Sequence, residues 1–139
     1  MATNISKLII NASREKVWEA LTEPEKVKAW QYGSELTTDW GVGNEIRFKS
    51  EWEGQIFEQW GTVLEFEPNK KLKYNLFAPR PDLDDKSENY FEMEYKLTEK
   101  GNKTELKIIQ EDNRPGAKQE PEQGEENPVL KMLKELIEK

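Results

Sequence analysis

Apolar and charged side chains alternate along much of the chain. Between residues 45 and 52, Ile46, Phe48 and Trp52 fall on one face, while the charged residues fall on the other. This period of two predicts a strand with one buried and one solvated face. Because turn signals containing Gly, Pro or Asn separate the repeating segments, we predict a meander of antiparallel strands. The further segments with this alternation are 55–67, 72–76, 90–97 and 104–111. In the first of them, Trp60, Leu64 and Phe66 share the inward phase.

The first thirty residues follow a different pattern. The apolar-rich run Ile5–Ile10 predicts a first strand. Ser13 is placed to cap a helix over Arg14–Leu21, whose apolar residues recur at one-turn spacing. Thr22-Glu23-Pro24-Glu25 has the form of a capping box and predicts a second short helix that reaches Trp30. We therefore predict two short helices between the first strand and the meander.

The C-terminal quarter contains two further segments. Residues 112–126 are rich in Gly, Pro, Gln and Glu and offer almost nothing to bury, which predicts a flexible loop. The pattern over residues 127–139 predicts a C-terminal helix, because Asn127-Pro128 supplies a cap and a first turn before an apolar stripe. We see no internal repeat, so residues 1–139 are expected to form a single domain.

A sheet with one apolar face must cover that face. The sequence therefore predicts an α+β fold, in which a curved antiparallel sheet wraps around the C-terminal helix and two short helices follow the first strand. One short helix is too small to cover every large ring that points inward. Either these rings interdigitate into a dry core, or a cavity remains between sheet and helix.

Composition narrows the chemistry that such a cavity could support. The chain contains no His and no Cys, so Ser-His-Asp and Cys-His arrangements, disulfides and ordinary zinc sites are excluded. We expect no metal and no cofactor, and we find no evident catalytic machinery. The net charge of −7 disfavours binding to nucleic acid or an anionic membrane. No apolar run is long enough to span a membrane and no signal peptide is evident, so we expect a cytoplasmic location.

The candidate ligand-binding residues are those that the period of two turns inward, together with the apolar face of the last helix. For the rings among them, plain core packing is an equally good interpretation. Glu58 would orient a ligand if buried, or would be exposed if a bulge near Gly54 shifts the strand. Gln110 could bond a ligand, or could be a strand-end amide in water. The candidates are Phe48, Trp52, Glu58, Trp60, Tyr74, Phe91, Met93, Tyr95, Ile108, Gln110, Val129 and Leu133.

Three stretches of the sequence resemble a known family. The opening Ile9–Trp30 contains an apolar strand, a Val-Trp helix and then Thr-Glu-Pro-Glu, and it is followed by Trp40–Gly43 and Gly61–Leu72. In this order and spacing they resemble the SRPBCC superfamily, in particular the branch similar to the activator of the heat-shock-protein ATPase. Two features depart from that pattern: Ala12-Ser13 replaces an Ala-Pro pair, and the last helix is shorter.

The resemblance implies the helix-grip (START-like) fold and an internal cavity, without a substrate. It favours binding of a hydrophobic or aromatic small molecule, such as a lipid or a polycyclic metabolite, by a monomer. One alternative is a protein-interaction module that acts on a chaperone ATPase in the stress response. Another is a weak cyclase or hydrolase that uses the same cavity, since relatives in the superfamily catalyse such reactions. Whether the chain is an enzyme is left open at this point.

Overall fold

The computed structural model consists of three helices and seven strands in the part of the chain that it describes. It describes residues 2–31, 33–124 and 126–138, except for the side chain of Trp52. A 3₁₀ turn lies at Ser87–Asn89. None of the helices in these ranges is long and apolar enough to cross a membrane. The strands are β1 (Ala2–Ile10), β2 (Glu35–Thr37), β3 (Glu45–Trp52), β4 (Gln55–Glu67), β5 (Lys71–Leu76), β6 (Phe91–Lys100) and β7 (Lys103–Asp112). The helices are α1 (Arg14–Thr22), α2 (Pro24–Trp30) and α3 (Pro128–Glu138).

The seven strands form one antiparallel sheet in the order β1-β7-β6-β5-β4-β3-β2. Consecutive strands from β2 to β7 are neighbours, and β1 closes the order beside β7. The β3–β4 turn at Glu53-Gly54 has positive φ at both residues, 51° and 78°, which matches the right-handed twist of a two-residue hairpin. The predicted meander and the helix-grip fold are confirmed.

Helix α3 covers the concave face of the sheet and packs against α1, α2 and β1. Its stripe is buried at Leu130, Leu133 and Ile137. Asn127 caps the helix as predicted, because its Oδ1 accepts hydrogen bonds from the backbone N–H groups of Val129 and Leu130 at 2.9 and 3.3 Å. The last helix and the sheet therefore share one hydrophobic core.

The two short helices are confirmed, but one of their predicted caps is wrong. Ser13 Oγ accepts from Lys16 N at 3.3 Å and caps α1 as expected. Thr22, predicted to open α2, instead ends α1, where its hydroxyl donates to Trp18 O at 2.8 Å. Glu23 is the N-cap of α2 without a side-chain hydrogen bond. Pro24 at the first turn lacks an N–H, so α2 can begin there without a capping box.

A bulge in β4 changes which side chains face the helix. Pairing with β5 shifts between Val63 and Glu65. A bulge adds one residue to its strand and reverses the facing of the residues beyond it. Phe66 therefore lies inside, whereas Trp60 lies outside because it pairs with Arg47. The predicted phase, which placed Trp60 with Phe66 on one inner face, is wrong.

The segment between β7 and α3 runs beside β1. Lys7 N donates to Gln123 O at 2.9 Å, and Gln123 N donates to Ile5 O at 3.0 Å. The side chain of Gln119 accepts from Thr3 N at 2.7 Å and donates to Thr3 O. The predicted flexibility of residues 112–126 stays a prediction. The prediction rested on the scarcity of apolar side chains to bury, and the contacts found here are polar.

Candidate functional site

A cavity of about 440 Å³ lies between the concave face of the sheet and the ends of two helices. The sheet contributes side chains from six strands, and the cover comes from the end of α2 and the start of α3. The lining residues are Ser6, Trp30, Gln31, Ser34, Phe48, Ser50, Phe57, Gln59, Tyr74, Leu76, Met93, Tyr95, Ile108, Asn127, Val129 and Leu130. This volume is within the usual range of small-molecule sites.

Two hydrogen-bonded residues hold the cover in place. Trp30 at the end of α2 is buried, and its indole Nε1 donates to Ala20 O in α1 at 2.8 Å. Asn127 caps α3, so its side-chain amide is held at the start of that helix by Val129 and Leu130. The ring and the amide therefore face the cavity from fixed positions, as a preformed site requires.

Three rings form the floor of the cavity. The Phe48 and Tyr74 ring centroids lie 5.7 Å apart, and those of Tyr74 and Tyr95 lie 6.0 Å apart. The two tyrosine hydroxyl oxygens are 3.3 Å apart and form a buried hydrogen bond. Burial raises the pKa of Tyr74 well above its usual value and also raises the pKa of Tyr95. Both phenols stay protonated near neutral pH, so the floor is polar at one point and uncharged.

The cavity wall carries polar groups but no charge among the residues described. Three serines, two glutamines and Asn127 interrupt the apolar lining. Phe57 marks the mouth, because this lining residue is 52% exposed, and its neighbour Ile56 is 58% exposed. Such a wall can hold an apolar body and donate or accept neutral hydrogen bonds. It has no group among the described ones that is suited to proton transfer near pH 7.

The structure brings together half of the predicted site residues. They come from β3, β5, β6, β7 and α3, and all face the same space. Their role as ligand contacts stays a prediction. These residues are Phe48, Tyr74, Met93, Tyr95, Ile108 and Val129.

Trp60 and Glu58 lie on the opposite face of the sheet, which corrects the predicted inward placement of Trp60 and agrees with the exposed alternative for Glu58. Glu58 accepts from the Arg47 guanidinium at 2.7 Å, and that guanidinium carbon lies 5.3 Å from the Trp60 ring centroid. The indole Nε1 of Trp60 donates to Asp85 at 3.0 Å. The reason is the strand phase set by pairing: Phe48 faces in and is opposite Gln59, so Glu58 and Trp60 face out.

Three other candidates lie away from the cavity; Leu133 and Phe91 are buried, and Gln110 is half-buried. Leu133 is fully buried in the core, and Phe91 is buried beneath the Arg114 guanidinium at 4.4 Å. Gln110 accepts from the Asn4 side chain at 3.5 Å, near the segment that follows β7. The side chain of Trp52 lies outside the described part of the chain.

Sequence reasoning missed most of the polar lining. Gln59 and Phe57 were assigned to the outer face by the same phase error that turned Trp60 inward. Pairing with Phe48 is the signal that would have found them, but a register is not readable from one strand alone. Ser6 and Ser50 were missed because a small polar residue on a strand is ordinarily expected to face solvent, and Ser34 lies outside the helices and strands.

Comparison with known proteins adds to this picture. Residues 11–138 match the family described as "Activator of Hsp90 ATPase homolog 1-like protein". A search of curated proteins gives no match. Among solved structures, a protein of Cytophaga hutchinsonii is 35% identical, with 84% of this chain and 80% of that chain covered and a TM-score of 0.70.

Two more distant structures support the fold alone. A protein of Chromobacterium violaceum is 21% identical, with 99% of this chain and 97% of its own covered and a TM-score of 0.77. An HSP90 activator from Plasmodium falciparum is 18% identical, with 84% and 76% covered and a TM-score of 0.64. Together with the match over residues 11–138, the helix-grip architecture settles the family. The chain belongs to the activator of Hsp90 ATPase homolog 1-like family of the SRPBCC superfamily.

Proposed function

We propose that this protein binds a hydrophobic or aromatic small molecule, such as a lipid or a polycyclic metabolite, in the cavity. The observation that carries the proposal is the cavity of about 440 Å³, whose lining is largely aromatic and aliphatic. Burying about 300 Å² of ligand surface would contribute roughly 7 kcal/mol at about 25 cal/mol per Å². Association entropy offsets part of this gain, so we expect dissociation constants of roughly micromolar size.

The indole N–H signals of two tryptophans provide a direct test by NMR. Trp30 lines the cavity, and Trp60 lies on the opposite face of the sheet, so one reports binding and the other serves as an internal control. Titration with a library of neutral polycyclic compounds should shift the Trp30 signal and leave the Trp60 signal in place. The proposal fails if no compound moves the Trp30 signal, or if both signals move equally.

A pair of variants on β3 sharpens this test. Ser50→Phe places a ring in the cavity, whereas Lys49→Phe places the same ring on the outer face one residue away. We expect the first variant to abolish ligand-induced shifts and the second to keep them. Equal affinities in the two variants would show that binding occurs elsewhere on the protein.

A second candidate function is stimulation of a chaperone ATPase. The family match and an exposed apolar residue at the β3–β4 hairpin, Ile56, favour it. The test is the ATPase rate of a bacterial Hsp90 with added protein. Ile56→Ser should remove any stimulation, and Ile9→Ser, at a residue 43% exposed on β1, should retain it. An unchanged ATPase rate with the unmodified protein would exclude this function.

The remaining expectations are narrower proposals. We propose that the protein is a monomer in the cytoplasm, and that any role in the stress response follows from the second candidate function. Analytical ultracentrifugation and cell fractionation test these points separately. A cyclase or hydrolase activity has no particular observation in its favour.

A further inference from the structure

The tyrosine pair on the floor of the cavity has more hydrogen-bonding capacity than it uses. The hydroxyl oxygens of Tyr74 and Tyr95 are 3.3 Å apart, and either can be the donor. Each phenol carries one proton, and only one proton can lie between the two oxygens. Whichever hydroxyl donates within the pair, the other O–H is left over.

The leftover proton has no protein acceptor in the described part of the chain. The hydrogen bonds of these residues give each of the two hydroxyls only the other as a partner. Both side chains are buried, with 4% and 6% exposure. A buried donor without an acceptor is destabilising, so this O–H needs a partner supplied from the cavity. A water molecule or a ligand oxygen could fill that position.

The lining also restricts the charge of the ligand. The described residues around the cavity include no Lys or Arg to pair a carboxylate and no Asp or Glu to pair an ammonium group. Moving an ionised group out of water without a partner is costly. Burial raises the pKa of both tyrosines, so they remain neutral donors rather than phenolate acceptors for a cation.

We propose, building on the ligand-binding function above, that the ligand is a neutral polycyclic molecule with a hydrogen-bond-accepting oxygen that bonds the tyrosine pair. A ketone or quinone oxygen has the required chemistry, because it accepts and does not donate. The oxygen lies at the floor beside Tyr74 and Tyr95. The apolar rings extend toward Phe57 at the mouth.

Fluorene and fluorenone test this assignment, since the two tricyclic molecules differ by one ketone oxygen. Isothermal titration calorimetry should give tighter binding of fluorenone by about three- to tenfold, the value of one net hydrogen bond. A fluorene carboxylate should bind more weakly than either. If neither fluorene nor fluorenone binds, this inference fails, and the library titration that monitors Trp30 decides separately whether the proposed function fails with it. If both bind equally, only the inference is overturned.

Variants of the pair separate the hydroxyls from the rings. In the double variant Tyr74→Phe/Tyr95→Phe, fluorenone and fluorene should bind with about equal affinity. The affinity for fluorene should stay within about twofold of that of the unmodified protein. Each single variant keeps one O–H, so at least one of the two variants should retain part of the preference. Loss in one single variant supports the inference and identifies the donor. Tyr90→Phe, on the outer face, is the matched control and should leave the affinities for fluorene and fluorenone unchanged.

Infrared spectroscopy of bound fluorenone tests the same bond without a substitution. The carbonyl stretch should lie at a lower frequency than for fluorenone in hexane, because a donated hydrogen bond weakens the C=O bond. The inference is overturned by an unshifted stretch, and also by a double variant that keeps its preference for fluorenone, since water or another group would then supply the bond.

Discussion

Two clusters of aromatic rings lie on opposite faces of the same sheet. The inner cluster, Phe48, Tyr74 and Tyr95, has centroid separations of 5.7 and 6.0 Å. The outer cluster, Trp60, Phe77 and Tyr90, has nearly the same spacing, 5.5 and 5.6 Å. Ring packing therefore does not distinguish a ligand site from a surface cluster. The partners of the rings do.

The polar atoms of the outer cluster are bonded to a carboxylate, and those of the inner cluster are bonded to each other. Asp85 accepts from both Trp60 Nε1 and the Tyr90 hydroxyl, and these bonds lower its pKa. Burial and the bond to Asp85 raise the pKa of Tyr90 to about 12. The outer cluster thus has its donors satisfied within the protein, while the inner cluster has a donor left for a ligand.

The largest expected effect is the loss of stability when the packing of α3 against the inner face of the sheet is removed. Leu133 is fully buried, so Leu133→Ala should lower the free energy of unfolding by about 2–5 kcal/mol. Met132→Ala, one residue away and only partly buried, should cost less. Urea denaturation measures both. Similar small losses would mean that α3 does not cover the core as described.

The next effect concerns the close approach of the β4 and β5 backbones, the strands that carry residues of both ring clusters. A Cβ atom at Gly61 would lie 1.9 Å from the backbone oxygen of Asn75, so the strands must move apart in Gly61→Ala. We expect a loss of about 1–3 kcal/mol in unfolding free energy. Thr62→Ala, which keeps the backbone spacing, is the control. A neutral Gly61→Ala would contradict this pairing.

A smaller effect separates the clusters by function. Trp60→Phe keeps a ring but removes the hydrogen bond to Asp85, so it should cost about 0.5–1.5 kcal/mol of stability. Fluorene affinity should not change, because this ring is outside the cavity. Phe48→Leu should weaken fluorene binding instead. Calorimetric titration of both variants decides the matter, and weaker binding in Trp60→Phe would reverse the assignment of the two faces.

The smallest effect is a pH dependence of the outer cluster. The pKa of Tyr90 is about 12 in the folded protein, against 10.0 for an unperturbed tyrosine. A raised pKa stabilises the fold fully below pH 10, and this contribution is lost as the pH rises toward about 12. The stability difference between the unmodified protein and Tyr90→Phe should therefore shrink over that range. Urea midpoints that stay parallel would contradict the shift.

Local pattern was enough to predict most of the fold. The alternation over 45–52 and 55–67 coincides with β3 and β4, because strands with one wet face carry that period. The β4 bulge near Val63 was not predictable, since it depends on pairing with β5. This one extra residue explains why Trp60 was assigned to the cavity and Gln59 was not. Half of the predicted site residues line the cavity, and those on strands lie where the alternation of inward and outward side chains is not interrupted by a bulge.

The polar contacts along β1 have a consequence for how the protein behaves at high concentration. β1 and β2 are the two outermost strands, and an open strand can pair with another chain and seed aggregation. β2 has only three residues, too few to template a partner. On β1, Gln119 and Gln123 occupy backbone groups of Thr3, Ile5 and Lys7. Further along, Lys134 donates to Ile9 O at 2.7 Å. An incoming strand would have to displace these bonds first, so the sheet is protected against growth at both ends.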